Sequence, residues 1–277
     1  MNLPNDVRGF IIDMDGVLWH GDKAQPGLQA FFQTLRDLNM AFILATNNAM
    51  ATAGQYQSKL AAMGVAVEPA EILTSGMATA IYLARHYPPQ TTRVFVIGDV
   101  GLKQPLLEQG FSLTGLDSID DETGAHIVVC GLDKALSWDK LATATLNIRR
   151  GAAFYASNGD TTLPSERGLL PGNGATLAAL HAATGVTPVI LGKPEPVLYQ
   201  RALELLAMDV GGIVAIGDRL DTDILGAVRT GMRSLMVLSG VSRRDDLAGL
   251  DYAPTWIVQD IQDITQALQK RHSEHSS

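Results

Sequence analysis

Cysteine is nearly absent. Cys130 stands alone in 277 residues, so no disulfide framework can form within the chain. It sits in the apolar run Ile127-Val128-Val129-Cys130, where a small buried residue is its ordinary reading. Long apolar runs are absent too: none approaches the roughly 20 residues that a bilayer-spanning helix needs. The opening MNLPNDVRGF shows no basic stretch leading into an apolar one, so no signal peptide is expected. Basic residues are in deficit, 21 Lys and Arg against 29 Asp and Glu, for a formal net charge of -8. That balance does not suit general attraction to nucleic acid or to an anionic membrane, although a local positive site can still take an anionic substrate. No internal repeat and no low-complexity linker interrupts the chain. A soluble, cytoplasmic protein is the expectation.

What is there is apolar material in short runs. Apolar residues make up 46% of the chain and charged ones 18%, which supports packed cores and excludes wholesale disorder. At about 150 residues per domain, the length suggests two domains. Phe10-Ile11-Ile12, Ala41-Phe42-Ile43-Leu44, Val94-Phe95-Val96-Ile97 and Ile127-Val128-Val129 come first. Ala152-Ala153-Phe154-Tyr155, Val189-Ile190-Leu191, Ile213-Val214-Ala215-Ile216 and Leu235-Met236-Val237-Leu238 follow. Continuous runs of this length fit strands buried on both faces of a parallel sheet. Helical stripes lie between them. Leu28, Phe31, Phe32, Leu35 and Leu38 form one; Tyr56, Leu60 and Met63, ended by Gly64, form another. Trp138, Leu141, Thr145 and Ile148 form a third, with Ser137 as N-cap, and Ile224, Leu225 and Val228, closed by Gly231, a fourth. The alternation predicts an α/β fold with right-handed crossovers. Periodicity alone reads it as one long doubly wound domain.

Several runs end in bare polar clusters, and ligands in open α/β sheets bind beyond the carboxyl ends of the strands. In Asp13-Met14-Asp15-Gly16 the two carboxylates would repel each other, the more so if buried. A divalent cation is the simplest compensation, and oxygen ligands suit magnesium; a polar turn before Gly16 is the plain alternative. Ala45-Thr46-Asn47-Asn48 offers a hydroxyl and backbone N–H groups that can hold phosphate oxygens, or else an N-cap and turn. In Gly192-Lys193-Pro194-Glu195-Pro196 the prolines fit a helix start, which would hold Lys193 rigidly near a strand end; an exposed lysine is the alternative. Gly217-Asp218-Arg219-Leu220-Asp221-Thr222-Asp223 runs a buried strand into three acids. Capping accounts for Asp221 and Asp223 better than for Asp218. Val96-Ile97-Gly98-Asp99 has a similar ending, but Gln104 stands five residues beyond Asp99, where Asp223 stands five beyond Asp218. Asp99 therefore reads as a strand-end residue of another domain. His20 and His181 read as surface residues. Gly172-Asn173-Gly174 lacks the third glycine and the preceding strand of a dinucleotide motif.

The four polar segments, in this order, resemble the motifs of the haloacid dehalogenase (HAD) superfamily. The resemblance is close to its NagD-like and 4-nitrophenyl-phosphatase-like branch, which carries a large inserted cap. Ser157-Asn158-Gly159-Asp160 through Gly168-Leu169-Leu170-Pro171-Gly172-Asn173-Gly174 is similar to that branch's substrate loop, although Gly159 stands where many relatives carry proline. The resemblance implies a Rossmann-like parallel-sheet core, residues 1–80 and 183–277, with an inserted α/β cap domain, residues 81–182.

It also implies a magnesium-dependent phosphatase that hydrolyses a small phosphorylated metabolite through an aspartyl phosphate. Nucleotides, sugar phosphates, phosphoglycolate and pyridoxal phosphate are the substrate classes of the branch. Asp13 would be the nucleophile, and Asp15 the general acid and then the base. An acid at that place favours phosphatase over dehalogenase chemistry. Thr46, Asn47 and Lys193 would bind phosphate. Mg2+ would rest on the Asp13 carboxylate, the Asp15 carbonyl and Asp218, with Asp223 supporting from behind and Asp221 left open. The cap would shed water and select the leaving group, with Asn158 and Asp160 as contacts. A phosphotransferase or mutase using the same aspartyl phosphate stays open, as does a catalytically silent binding protein on this fold. A homodimer is left open as well.

Overall fold

The computed structural model describes residues 3–120, 122–165 and 167–275. The chain divides into two compact units, the first of residues 1–46, 54–73 and 193–277, the second of residues 47–53 and 74–192. The segment 81–182 lies inside the second unit.

In the first unit a six-stranded sheet runs in the order Trp256–Val258, Arg233–Val237, Ile213–Gly217, Gly9–Ile12, Ala41–Thr46, Ile72–Thr74. The pairings among the first five strands are parallel. Every residue of Gly9–Ile12 and of Ile213–Gly217 is buried. A central parallel strand is covered on both faces and has no wet side, so its sequence does not alternate. The helix Leu28–Asp37 packs against Ile261–His275, and Pro196–Leu206 packs against both Ala41–Thr46 and the short helix Leu225–Thr230. From Gly9–Ile12 the chain works outward to one edge; from Ile213–Gly217 it works outward to the other. These two neighbours therefore form a topological switch point, and a crevice opens beyond their carboxyl ends.

The second unit carries a five-stranded parallel sheet, ordered Val189–Ile190, Ala153–Ala156, Ile127–Cys130, Arg93–Ile97, Ser112–Leu113. Phe95, Val128, Cys130, Ile148, Phe154 and Leu177 fill one of its faces, and Leu83, Val94, Val96, Leu106 and Val129 fill the other. An antiparallel hairpin, Thr162–Ser165 with Gly168–Pro171, belongs to the same unit. Asp99 caps the helix Val100–Glu108 by accepting from Val100 N. Among the described residues no helix is long and apolar enough to cross a membrane.

Two helical stripes differ from expectation. Ser137 caps the helix Trp138–Arg149 as expected, but Trp138 is 78% exposed. The buried face is Thr143, Ala144, Asn147 and Ile148, and Trp138 lies on roughly the opposite side at 3.6 residues per turn. Val228 is also exposed, while Gly226 and Ala227 are buried. This short helix follows a wide turn in which Ile224 N bonds to Arg219 O, five residues back. The strands Ile72–Thr74, Trp256–Val258 and Ser112–Leu113 have no counterpart among the apolar runs of the sequence, because two or three residues carry no periodic signal.

Candidate active site

The register of the first unit's sheet lines up the tips of its strands. Ile12 pairs with Ile216 on one side and with Leu44 on the other. One step further, Asp13 N donates to Ile216 O at 2.8 Å. Asp13 thus emerges beside Gly217-Asp218 and Ala45-Thr46. Lys193 precedes the helix Pro196–Leu206, whose first residue is Pro196; Pro194 lies outside it, joined to Lys193 by a cis peptide bond.

Lys193 is 2% exposed. Its Nζ donates to Asp13 Oδ1 at 2.6 Å, to Asp223 Oδ1 at 2.6 Å and to Ala45 O at 3.0 Å. Three donors thus meet three acceptors, which excludes the exposed-lysine alternative. Asp223 Oδ2 accepts from Arg219 N at 3.1 Å and from Asp218 N at 3.3 Å. Asp218 Oδ2 accepts from Val241 N at 2.7 Å. Asp13, Asp218 and Asp223 each offer an oxygen within 4.8 Å of the others, and all three are buried. This is a cluster that could hold a metal ion. Asp221 stands apart from it, exposed and paired with Arg219 at 2.9 Å.

Three acids and one ammonium leave the cluster with excess negative charge. Burial pushes the Asp13 carboxyl well above the usual range; Lys193 pulls it back, and Asp223 and Asp218 push it further up. Asp218 is pushed up to about 7, by burial first and then by Asp223. Burial works against the charge on Lys193, but Asp13 and Asp223 outweigh it and hold the ammonium well above its ordinary value.

Asp15 lies at the surface of the unit, two residues beyond Asp13, and its Oδ1 accepts from Trp19 Nε1 at 2.8 Å. Thr46 is buried, and its side chain hydrogen-bonds Tyr56. The sheet therefore gathers Asp13, Asp15, Thr46, Lys193, Asp218 and Asp223 into the first unit.

Residues 10–112 match the model of haloacid dehalogenase-like hydrolases, and residues 190–264 match a second HAD-hydrolase-like model. An acid sugar phosphatase from Staphylococcus saprophyticus is 35% identical over 265 residues, 96% of this chain and 99% of that protein. The crystal structure of 4-nitrophenylphosphatase from Thermotoga maritima aligns with a TM-score of 0.87 at 31% identity, covering 95% of this chain and 98% of that one. Glycerol phosphate phosphatase from Mycobacterium tuberculosis, in complex with magnesium, aligns with a TM-score of 0.85 at 35% identity, covering 95% and 78%. The chain belongs to the haloacid dehalogenase-like hydrolases. Within that family it is a phosphoric monoester hydrolase of the NagD-like, 4-nitrophenyl-phosphatase-like branch.

The remaining expected residues of this HAD hydrolase, Asn47, Asn158 and Asp160, fall in the second unit. Asn47 Nδ2 donates to Asp160 Oδ1 at 3.2 Å, and Asn158 Nδ2 donates to Asn47 O at 2.9 Å. Asn173 supports them by donating to Asn158 O at 2.7 Å. Side-chain hydrogen bonds thus tie this loop together, and Gly172 and Gly174 pack against the Asp160 carbonyl. His20 and His181 are exposed, with ring nitrogens on backbone carbonyls.

Further residues of the hydrolase surround the acids, and of these Tyr199, Ser242, Gly240 and Trp19 lie outside the polar segments singled out in the sequence. Tyr199 OH donates to Asp223 O at 3.1 Å, and Ser242 Oγ accepts from Leu220 N at 3.0 Å. A Cβ at Gly240 would lie 2.0 Å from Asp218 Oδ2, and one at Gly217 would lie 2.1 Å from Asp223 Cβ. A signal for Gly240 existed, since Ser239-Gly240 follows directly on the apolar run ending at Leu238, at one more strand tip. Trp19 offered none, because a tryptophan in an apolar stretch reads as core.

Proposed function

We propose that this hydrolase is a magnesium-dependent phosphatase of a small phosphorylated metabolite, working through a phosphorylated Asp13. The observation that carries the reading is Lys193 Nζ, 2.6 Å from both Asp13 and Asp223, with Asp218 completing a buried three-acid cluster. Oxygen donors of this kind suit a hard dication. Burial without one pushes Asp13 and Asp218 toward their protonated forms, so the donor set fits magnesium. Asp13, Asp218 and the Asp15 carbonyl would hold it, with Asp223 fixing Lys193 and the turn behind. When bound, the ion neutralises charge on the phosphoryl oxygens and keeps the acids ionised.

The rest falls to the chain's own residues. An oxygen of Asp13 bonds to phosphorus as the bond from phosphorus to the leaving oxygen breaks, and Asp15 gives that oxygen a proton. Water then loses a proton to Asp15, bonds to phosphorus and releases Asp13, returning both acids to their starting state. Lys193, Thr46 and Asn47 would orient and neutralise the phosphate. Residues 81–182 would serve as the cap that selects the leaving group, with Asn158 and Asp160 as the candidate contacts. The relatives' names, an acid sugar phosphatase and a glycerol phosphate phosphatase, favour a sugar or polyol phosphate within the wider metabolite class.

The test is hydrolysis of 4-nitrophenyl phosphate and of a panel of phosphorylated metabolites with magnesium present. Free phosphate should appear, chelator should stop turnover, and Asp13→Asn should abolish it. Full activity in Asp13→Asn would refute the nucleophile. Phosphate appearing on an added alcohol, rather than free, would favour the phosphotransferase.

A further inference from the structure

Trp19 is wholly buried, yet its single polar atom is committed to an exposed carboxylate, Nε1 donating to Asp15 Oδ1 at 2.8 Å. An indole can only donate, and a backbone carbonyl would have satisfied it as well. The contact is built into a closed loop. Gly16 N donates to Trp19 O at 2.8 Å, and Gly16, at φ 83°, takes the left-handed conformation that lets the chain double back. The ring is held in turn. It lies nearly parallel to Tyr56, with centroids 6.4 Å apart and planes at 19°, and Lys59 Nζ stands 4.6 Å from its centre. Lys59 also donates to Gly21 O at 2.7 Å, pinning the turn between the antiparallel pair Trp19–His20 and Lys23–Ala24. Tyr56 hydrogen-bonds Thr46. Two buried rings thus link Asp15 to Thr46.

We propose that Trp19 is a positioning residue for proton transfer: its N–H occupies Asp15 Oδ1 and aims Oδ2 at the leaving oxygen. This rests on the reading of Asp15 as acid and base. Oδ2 makes no hydrogen bond among the described residues. In the first step the proton passes from Oδ2 to the leaving oxygen as its bond to phosphorus breaks. In the second, Oδ2 takes a proton from the attacking water. Oδ1, already accepting from the indole, carries no proton in either step.

The experiment uses leaving groups of different need. 4-Nitrophenolate departs as a stable anion; the alkoxide of glycerol phosphate requires a proton. Trp19→Phe removes the donor, and site-specific replacement of Trp19 by its benzothiophene analogue removes it while keeping the ring size. The value of kcat/KM, which covers the steps up to cleavage of the first bond, should fall about tenfold or more for glycerol phosphate and by less than about threefold for 4-nitrophenyl phosphate. A purely structural tryptophan would lower both alike. Equal losses, or none, in the benzothiophene protein would overturn the proposal. Asp15→Asn separates the two ideas. Absence of the leaving-group pattern there defeats the acid–base reading itself; its presence there without any in the Trp19 variants defeats only the role of Trp19.

Discussion

Lys193 Nζ and Asp223 Oδ1 stand 2.6 Å apart, and each side chain is only 2% exposed. Asp223 is itself fixed, because its other oxygen takes the N–H groups of Asp218 and Arg219 and its carbonyl takes the Tyr199 hydroxyl. Two of the three Lys193 donors are therefore committed to the scaffold, on Asp223 and Ala45 O, and only the third faces Asp13. The ammonium is placed before any substrate arrives, which is what electrostatic preorganisation requires.

Lys193→Met should be costly in a way that magnesium partly repairs. Removing one partner of a buried ion pair costs about 3–5 kcal/mol, since the remaining charge has no counterpart. Here three acids would be left together. In chelator the urea midpoint should drop by an amount equivalent to about 3 kcal/mol, and added magnesium should recover more stability in the variant than in the parent. Turnover should be lost in either case. A midpoint unchanged in chelator would show that the acids shed their charge at little cost.

Magnesium binding should release protons near neutral pH. Asp218 is pushed up to about 7 by burial and by Asp223, and Asp13 is raised as well. An unfolded aspartate titrates near about 3.9. A folded value above the unfolded one means that, as pH rises from about 4 to about 7, the unfolded chain gives up its proton first. The metal-free protein should therefore lose stability across that window, the reverse of an ordinary salt-bridged aspartate. A dication favours the carboxylate and removes the penalty. Calorimetry of magnesium binding at pH 6, in buffers of different ionisation heat, should show net proton release that shrinks by pH 8.5. Identical heats across buffers at pH 6 would contradict it.

Trp138→Ser should be nearly neutral. The residue heads a helix as the largest apolar member of its expected stripe, yet it is 78% exposed. Surface substitutions away from special features usually stay within about 0.5 kcal/mol. A urea midpoint lowered by an amount equivalent to more than about 1.5 kcal/mol would mean that something covers the indole in solution.

The contrast between Trp138 and Trp19 marks what the sequence makes legible. Buried parallel strands announce themselves as unbroken apolar runs whose carboxyl tips carry polar residues, so Asp13, Asp218 and Lys193 stood out as candidates, and the family resemblance supplied their roles. Register did the rest: once Ile12 pairs with Ile216, Asp13 cannot avoid Asp218. Side-chain partnerships across long separations leave no local trace. Nothing in the sequence says that Trp19 spends its N–H on Asp15, or that Val241 N holds Asp218 from 23 residues away. Short helical stripes are equally ambiguous, since Trp138 and Val228 fit an apolar spacing yet both face outward.

Gly240→Ala is the sharpest test of how tightly the acids are packed. A methyl there would meet Asp218 Oδ2 at 2.0 Å and its Cβ at 2.3 Å, distances no real contact shows. The neighbouring Val241 N donates to that same Oδ2 at 2.7 Å, so the loop cannot retreat without giving up a bond to a buried carboxylate. Either Asp218 turns away or the segment moves; both displace an oxygen from the proposed metal cluster. Overpacking of this kind costs about 1–3 kcal/mol. The expected result is a magnesium requirement raised at least about tenfold, with kcat/KM lowered even at saturating metal. Gly211→Ala is the control, since nothing lies within 4 Å of a Cβ at that position. If both variants keep parental magnesium dependence, Asp218 is not held against Gly240 in the working enzyme, and its place among the metal's oxygen donors is lost with that contact.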